Sequence, residues 1–306
     1  MVWKMSGASL PLRHLLVALL VVAIWGSNFV VIKFALGELP PLLFAALRFA
    51  FAVLPAMFFL PRPAVAWRNL AAYGVLIGVG QFGVLYLAMR TQISPGLASL
   101  VIQTQVFFTI LLAMRVTRER VQGYQWLGLL LAASGIGVIA SHTDGSTTVA
   151  GLAMVLFAAL CWATANMVGK HAGRVNMLAY MVWTSACAVP PLLLLSLVFE
   201  GPAAIVSGVQ HLSWQGWVAV LWQSWGNTLF GYGIWVWLLA RHAAATIVPM
   251  ALLVPVFGMS AAAWLLGETM PAWKLIAAGL VLSGLALNLL WPLRPWRNTV
   301  SAAGTS

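Results

Sequence analysis

The sequence predicts an all-α membrane protein: ten transmembrane helices, arranged as two inverted five-helix repeats around a central cavity, with both termini cytoplasmic. Three observations carry that prediction: an apolar composition, cations confined to alternate connections, and an internal repeat. Of 306 residues, 62% are hydrophobic before the 27 glycines are counted, where a soluble globular chain holds about 45–50% with glycine included. Charged residues make up 7%, against roughly 25% in a water-soluble chain. Such a composition excludes a soluble enzyme, and a mean hydropathy of +0.97 points to one polytopic membrane unit. Cys161 and Cys187 both lie in apolar segments, so neither a disulfide framework nor a metal site is expected. The net charge of +11 is spread in pairs and triplets between apolar stretches. That pattern suits lipid headgroups and topology and argues against nucleic acid as a partner.

A hydrocarbon core about 30 Å thick needs roughly 20 apolar residues of helix. The first stretch, Leu15 to Leu36, follows Lys4 and Arg13 as a signal peptide would. Its apolar run exceeds the roughly 7–15 residues of such a segment and no small-residue cleavage site follows, so it reads as a retained span. Pro41 to Leu60 and Leu70 to Met89 come next, the third span carrying Gly74-x-x-x-Gly78, a spacing that permits close helix contact. Pro95 to Met114 and Tyr124 to Ala140 complete the first block, the latter with Gly128-x-x-x-Ala132. Val149 to Gly169 and Leu178 to Phe199 open the second, with Pro190-Pro191 expected to kink the seventh span. Trp214 to Ala240, Ala244 to Leu266 and Trp273 to Leu293 finish the set, and Pro249 and Pro255 predict a kink in the ninth. The chain thus divides into residues 1–14, a five-helix repeat over 15–140, a second repeat over 149–293, and a tail over 294–306.

Cytoplasmic loops hold the excess of Lys and Arg, so the cations test the span count. One set of connections carries Lys4, Arg13, Arg62, Arg68, Arg115, Arg118, Arg120, Lys170, Arg174, Arg241, Arg294 and Arg297; the other carries only Arg90 and Lys274. Twelve against two places both termini in the cytoplasm, and one missed span would have scrambled the alternation. Lys33 and Arg48 fall within spans.

The halves repeat. Trp25-Gly26-Ser27-Asn28 with Lys33 recurs as Trp162-Ala163-Thr164-Ala165-Asn166 with Lys170, each on the first span of its block. Thr117-Arg118-Glu119-Arg120 before the fifth span matches Leu266-Gly267-Glu268-Thr269 before the tenth, and Gly135 meets Gly284 at the same separation. Five spans is an odd number, so the second block is inverted. Inverted repeats give two near-equivalent ways to close a shared cavity, one on each side, which is the geometry of alternating access.

Taken together, Trp25-Gly26-x-Asn28-Phe29 with Lys33, Pro40-Pro41 with Arg48-Phe49, Pro95-Gly96-Leu97-Ala98-Ser99, Glu119, Gly231-Tyr232-Gly233, Leu252-Leu253-Val254-Pro255 and Gly267-Glu268 resemble the EamA family of the drug/metabolite transporter superfamily over essentially the whole chain. The resemblance is to its bacterial amino-acid and metabolite exporters. It implies ten helices, a central substrate cavity and export of amino acids or related metabolites; with localisation in the inner membrane, aromatic or sulfur-containing amino acids are among the expected small-molecule substrates. The second half departs from the first in carrying Ala163 where Gly26 stands.

Polar side chains in spans turn toward the bundle interior or a water-filled cavity. Trp25 and Asn28 share a face of the first span, Trp162 and Asn166 the equivalent face of the sixth, Ser99 and Gln103 a face of the fourth, and Gln223 and Asn227 one of the eighth, while Gln81 sits mid-span in the third. These are the candidate substrate-binding residues, with Arg48. For the amides the alternative is interhelical hydrogen bonding, worth about 0.6 kcal/mol each. Arg48 lies roughly 10 Å inside its span, where an unpaired cation costs about 2.5–3.5 kcal/mol. It either attracts a substrate carboxylate or bonds backbone carbonyls. Lys33 with Glu268 on the outer side, and Lys170 with Glu119 on the inner, are candidate gate pairs. The alternatives are that Lys33 snorkels to the interface and that both glutamates stabilise the N-termini of the fifth and tenth helices.

No carboxylate or histidine is expected within the membrane, so the reading is facilitated efflux without ion coupling. No catalytic residue, metal or cofactor is expected: the sequence lacks a His/Asp/Glu cluster or Ser-His pair near a membrane face, which argues against an enzyme acting on lipid-linked substrates. A broad-specificity drug or nucleotide-sugar type transporter is the alternative. Membrane lipids and a small-molecule substrate are the expected partners, and the sequence sets no oligomeric state.

Overall fold

The computed structural model describes residues 10–117, 122–142, 147–173, 175–242 and 244–291. Among these the chain is helical, without a strand. In chain order the helices are α1 (Leu12–Ala35), α2 (Pro41–Phe58), α3 (Trp67–Thr91), α4 (Pro95–Val116), α5 (Gly123–Ser141), α6 (Val149–Lys170) and α7 (Met177–Phe199). A short α8 (Pro202–Gln210) follows, then α9 (214–239), α10 (Val248–Leu266) and α11 (Ala272–Leu290). Nine of these, all except α8 and α9, are long and apolar enough to cross a membrane. The eighth expected span does fold as the long helix α9, but its tryptophans, glutamines, serine and asparagine hold its hydropathy below that of its neighbours.

Local chemistry sets the helix ends. Prolines open α2, α4 and α8, where the missing N–H has no intrahelical partner to lose. Thr148, Asn176 and Ser213 cap α6, α7 and α9 through side-chain oxygens on backbone N–H groups. Gly267, at φ 65°, closes α10 in the left-handed conformation that glycine adopts without strain.

Two pairs of helices depart from α geometry at matching places. α3 contains a π segment at Leu76–Gly83 and α9 another at Trp222–Phe230. In the latter the Thr228 hydroxyl donates to the Gln223 carbonyl five residues back, meeting the acceptor that the widened turn offers. α4 tightens to 3₁₀ at Ile102–Thr104, and α10 opens in 3₁₀ at Val248–Leu252, where Pro249 lacks a donor. The expected kink of the ninth span thus takes this form, whereas Pro190 and Pro191 lie inside a helix that runs unbroken from Met177 to Phe199.

Packing follows the same pairing. α5 packs on α11, α2 on α7, α1 on α10 and α9, and α6 on α4 and α3. Small residues bring α5 and α11 close: a Cβ on Gly135 would meet the Ala277 carbonyl at 2.9 Å, and one on Gly284 would meet the Gly128 carbonyl at 2.5 Å.

Three carboxylates cap helices distant in sequence. Glu38, after α1, accepts from the Ser213 N–H and hydroxyl at the start of α9 at 2.9 and 2.8 Å. Glu200, after α7, accepts from the Leu42 and Leu43 N–H groups in the first turn of α2 at 2.7 and 3.0 Å. Glu268, after α10, accepts from the Gly96 N–H of α4 at 3.0 Å and from the Ser94 hydroxyl. Each anion satisfies donors that a helix N-terminus leaves free.

Candidate functional site

Between the helices lies a cavity of about 460 Å³. α1 contributes Trp25, Asn28, Phe29 and Ile32; α3 contributes Tyr73, Gln81, Phe82 and Leu85; α4 contributes Ile102, Gln103, Gln105 and Val106. Trp162 and Asn166 come from α6, Met177 and Met181 from α7, and Asn227, Tyr232, Trp235, Val236 and Leu239 from α9. Apolar residues of α10 and α11, from Val248 to Leu289, complete the wall. Every described lining residue is uncharged at neutral pH. The cavity is an apolar, aromatic chamber carrying a few amides, the composition of a site that fixes a small molecule by a few polar contacts.

The amides are partly engaged with one another. Asn166 donates to Gln105 Oε1 at 3.1 Å, joining α6 to α4. Asn28 donates to Gln223 Oε1 at 3.2 Å, joining α1 to α9. Gln103 reaches the Ala251 carbonyl at 3.4 Å. Trp25 donates its indole N–H to the Asn227 carbonyl at 3.1 Å, and its ring lies 5.2 Å from Tyr232 and 5.1 Å from Trp235. Gly231 makes that placement possible, since a Cβ there would come within 2.5 Å of Trp25 Nε1. Asn28 Oδ1 and Asn227 Oδ1 are buried without a hydrogen-bond partner.

Of the ten candidate binding residues, Trp25, Asn28, Gln81, Gln103, Trp162, Asn166 and Asn227 lie on the cavity wall. Ser99, Arg48 and Gln223 do not. Ser99 donates to the Gly96 carbonyl at 2.7 Å and fills the space beside Gly258, so α4 packs on α10 there. Gln223 is fully buried behind Asn28. Arg48 is also buried, and it bonds side-chain hydroxyls rather than the backbone carbonyls of one expected alternative. Gln105 was missed because a uniform helical period carries the Ser99 face on to Gln103 only; the 3₁₀ turn between them shifts the register. Tyr232 had a signal, the Gly231-Tyr232-Gly233 stretch, whereas Tyr73 and Trp235 had none apart from their aromatic character.

The gate candidates are arranged differently from the expectation. Lys33 donates to the Met89 and Arg90 carbonyls at 3.0 and 2.9 Å, near the end of α3, where helix carbonyls lack partners. Glu268 pairs with Lys274 at 2.9 Å instead of Lys33. Its caps are the free donors of α4 and not those of α11, because α4 begins beside it and Lys274, only 1% exposed, folds back from the first turn of α11. Lys170 closes α6, and Glu119 lies outside the described residues.

Residues 12–141 and 149–290 each match the EamA-like transporter family. Over 278 residues the chain is 40% identical to a probable amino-acid metabolite efflux pump of Salmonella typhimurium, covering 89% of this chain and 93% of that one. It is 37% identical over 289 residues to a protein of the same description from Escherichia coli strain K12, covering 92% and 96%. A solved crystal structure shares the fold with a TM-score of 0.62 at 18% identity, over 91% of this chain and 97% of the other. With the family matched in both halves and nine apolar spans among the described residues, the chain belongs to the EamA-like transporter family and is a multi-pass inner-membrane efflux transporter, not an enzyme.

Proposed function

We propose that this protein exports amino acids and related small metabolites by alternating access around the cavity, as facilitated efflux without ion coupling. The observation that carries the reading is the cavity itself: about 460 Å³, walled by helices of both halves, aromatic and amide-lined, with no carboxylate or imidazole among its described lining residues. A chamber of this chemistry accepts a small amphipathic molecule and offers no proton-carrying acid to couple its passage.

Alternating access rests on ten spans in two inverted blocks. Under exchange of the blocks, α3 corresponds to α9 and α4 to α10. The paired π segments and paired 3₁₀ segments support that correspondence. So do the contacts Gly128 with Gly284 and Gly135 with Ala277, which exchange with each other under the common separation of the repeat. The cavity reaches toward the ends of α7, α9, α10 and α11 marked by Met177, Leu239, Val248 and Leu289. Those ends adjoin the cation-bearing connections, which supports reading this state as the one open to the cytoplasm.

The test is flux in liposomes. Purified protein, loaded with a panel of labelled amino acids, is expected to show counterflow that an imposed pH gradient at zero membrane voltage does not accelerate. Strong acceleration by that gradient would overturn the uncoupled mechanism, and absence of any amino-acid counterflow would overturn the substrate class.

A further inference from the structure

Among the described residues, Arg48 is a buried charge with no opposite charge beside it. Its side chain is 1% exposed. The three described carboxylates, Glu38, Glu200 and Glu268, are all engaged at helix ends away from it. Its guanidinium donates to two neutral groups, the Tyr86 hydroxyl at 2.9 Å and the Thr228 hydroxyl at 3.1 Å, and lies 3.6 Å from the centre of the Phe82 ring. Arg48 Nε has no acceptor. Tyr86 in turn reaches Gln223 Oε1 at 3.5 Å, the oxygen that also accepts from Asn28. Gln223 Nε2, fully buried, is a second donor without an acceptor.

Two unmet donors and a cation therefore stand directly behind the part of the cavity wall formed by Asn28 and Phe82. A cation at this depth is held at a large desolvation cost unless a counter-charge reaches it, and hydroxyls and ring faces supply only part of one. The Tyr86 and Gln223 dipoles, polarised by the guanidinium, extend its influence to Asn28; a half-turn of both amides would pair the unmet Gln223 Nε2 with the unmet Asn28 Oδ1 and release the Asn28 NH₂ for an anion.

We propose that Arg48 is the specificity-determining cation of this cavity, and that the carboxylate of the transported molecule, seated at the Asn28 end, is its counter-charge. The proposal rests on the amino-acid reading above and narrows it: the carrier requires a carboxylate and discriminates against the same molecule without one. The aromatic cluster of Trp25, Tyr232 and Trp235 then meets the rest of the substrate.

The experiment compares labelled phenylalanine with labelled phenylalaninamide, which keeps the ring and amine and replaces the carboxylate by a neutral amide. In counterflow through wild-type protein in liposomes, the acid is expected to move at least about tenfold faster. Gln223→Glu places a carboxylate inside the network in nearly the same volume, so the preference for the acid over the amide is expected to fall to about one or reverse. Tyr86→Phe, which cuts the link to Gln223, should lower the preference more modestly. A packing defect would slow both molecules alike and leave their ratio unchanged; that result in both variants would overturn the proposal, as would equal flux of acid and amide through the wild type. The wild-type comparison needs no variant to fold. Absence of all amino-acid flux would overturn the broader reading as well, whereas equal flux of the two molecules removes this inference alone.

Discussion

At the scale of single residues, the cavity depends on how closely backbones approach aromatic rings. Gly231 packs against the Trp25 indole, while Gly233, two residues on, has nothing within 4 Å of the position its Cβ would take. Alanine at Gly231 must displace the indole, loosening its bond to the Asn227 carbonyl and its contacts with Tyr232 and Trp235. Overpacking of that kind costs about 1–3 kcal/mol. Gly231→Ala is expected to lower amino-acid counterflow roughly tenfold for about 1.4 kcal/mol lost at the site, while Gly233→Ala keeps the wild-type rate; equal rates in the two variants would remove the role given to Trp25. The sequence made the wall residues of α1 and α6 legible because each pairs a tryptophan with an amide about one turn along one helix face. Gln105 and the hydroxyl partners of Arg48 were not legible. The first follows a local change of helical period, and the second depends on Tyr86 of α3 and Thr228 of α9 converging on one side chain, a contact that no spacing within a span encodes.

At the scale of elements, the spans were readable because membrane thickness dictates their length, and a window of hydropathy averages over exactly the details that matter for the site. The π segments in α3 and α9 vanish in that average, yet they set which side chains of those helices face inward. The carboxylate caps were equally hidden: Glu200 follows α7, where it accepts from the Ser196 hydroxyl at 2.6 Å, but it also accepts from two free N–H groups at the start of α2. Removing it leaves those donors without a protein partner and takes an anion from a helix N-terminus, a loss of about 1–2 kcal/mol. Glu200→Ala is expected to lower the melting temperature in detergent by roughly 2–4 °C per kcal/mol lost. Glu200→Gln, which keeps an acceptor oxygen but no charge, should fall between it and wild type. Unchanged melting in both would show that the cap contributes nothing measurable to the fold.

At the scale of the whole molecule, the caps and the cavity divide the protein into two unequal ends. On the face bearing the α1–α2 connection, Glu38 ties to α9, Glu200 to α2 and Glu268 to α4, and Lys33 holds the end of α3. All three acids join helices from opposite halves, so this face is cross-linked by charge-assisted bonds. Toward the opposite face the cavity wall carries Met181 and Leu289. If access alternates, passage to the other state must break caps on the first face, and weakening one cap shifts the balance between states by the energy of that contact. In a Cys161→Ser, Cys187→Ser background, Met181→Cys is therefore expected to react with a membrane-impermeant thiol reagent from the cytoplasmic side. Leu85→Cys should resist the same reagent from the outside. Adding Glu268→Gln frees Lys274 and the start of α4 together, and is expected to raise outside labelling at Leu85→Cys several-fold while lowering cytoplasmic labelling at Met181→Cys. Reciprocal change at the two positions is what a rocking pair of halves requires; a rise at both would mean that the variant has loosened the bundle and not shifted it between two closed ends.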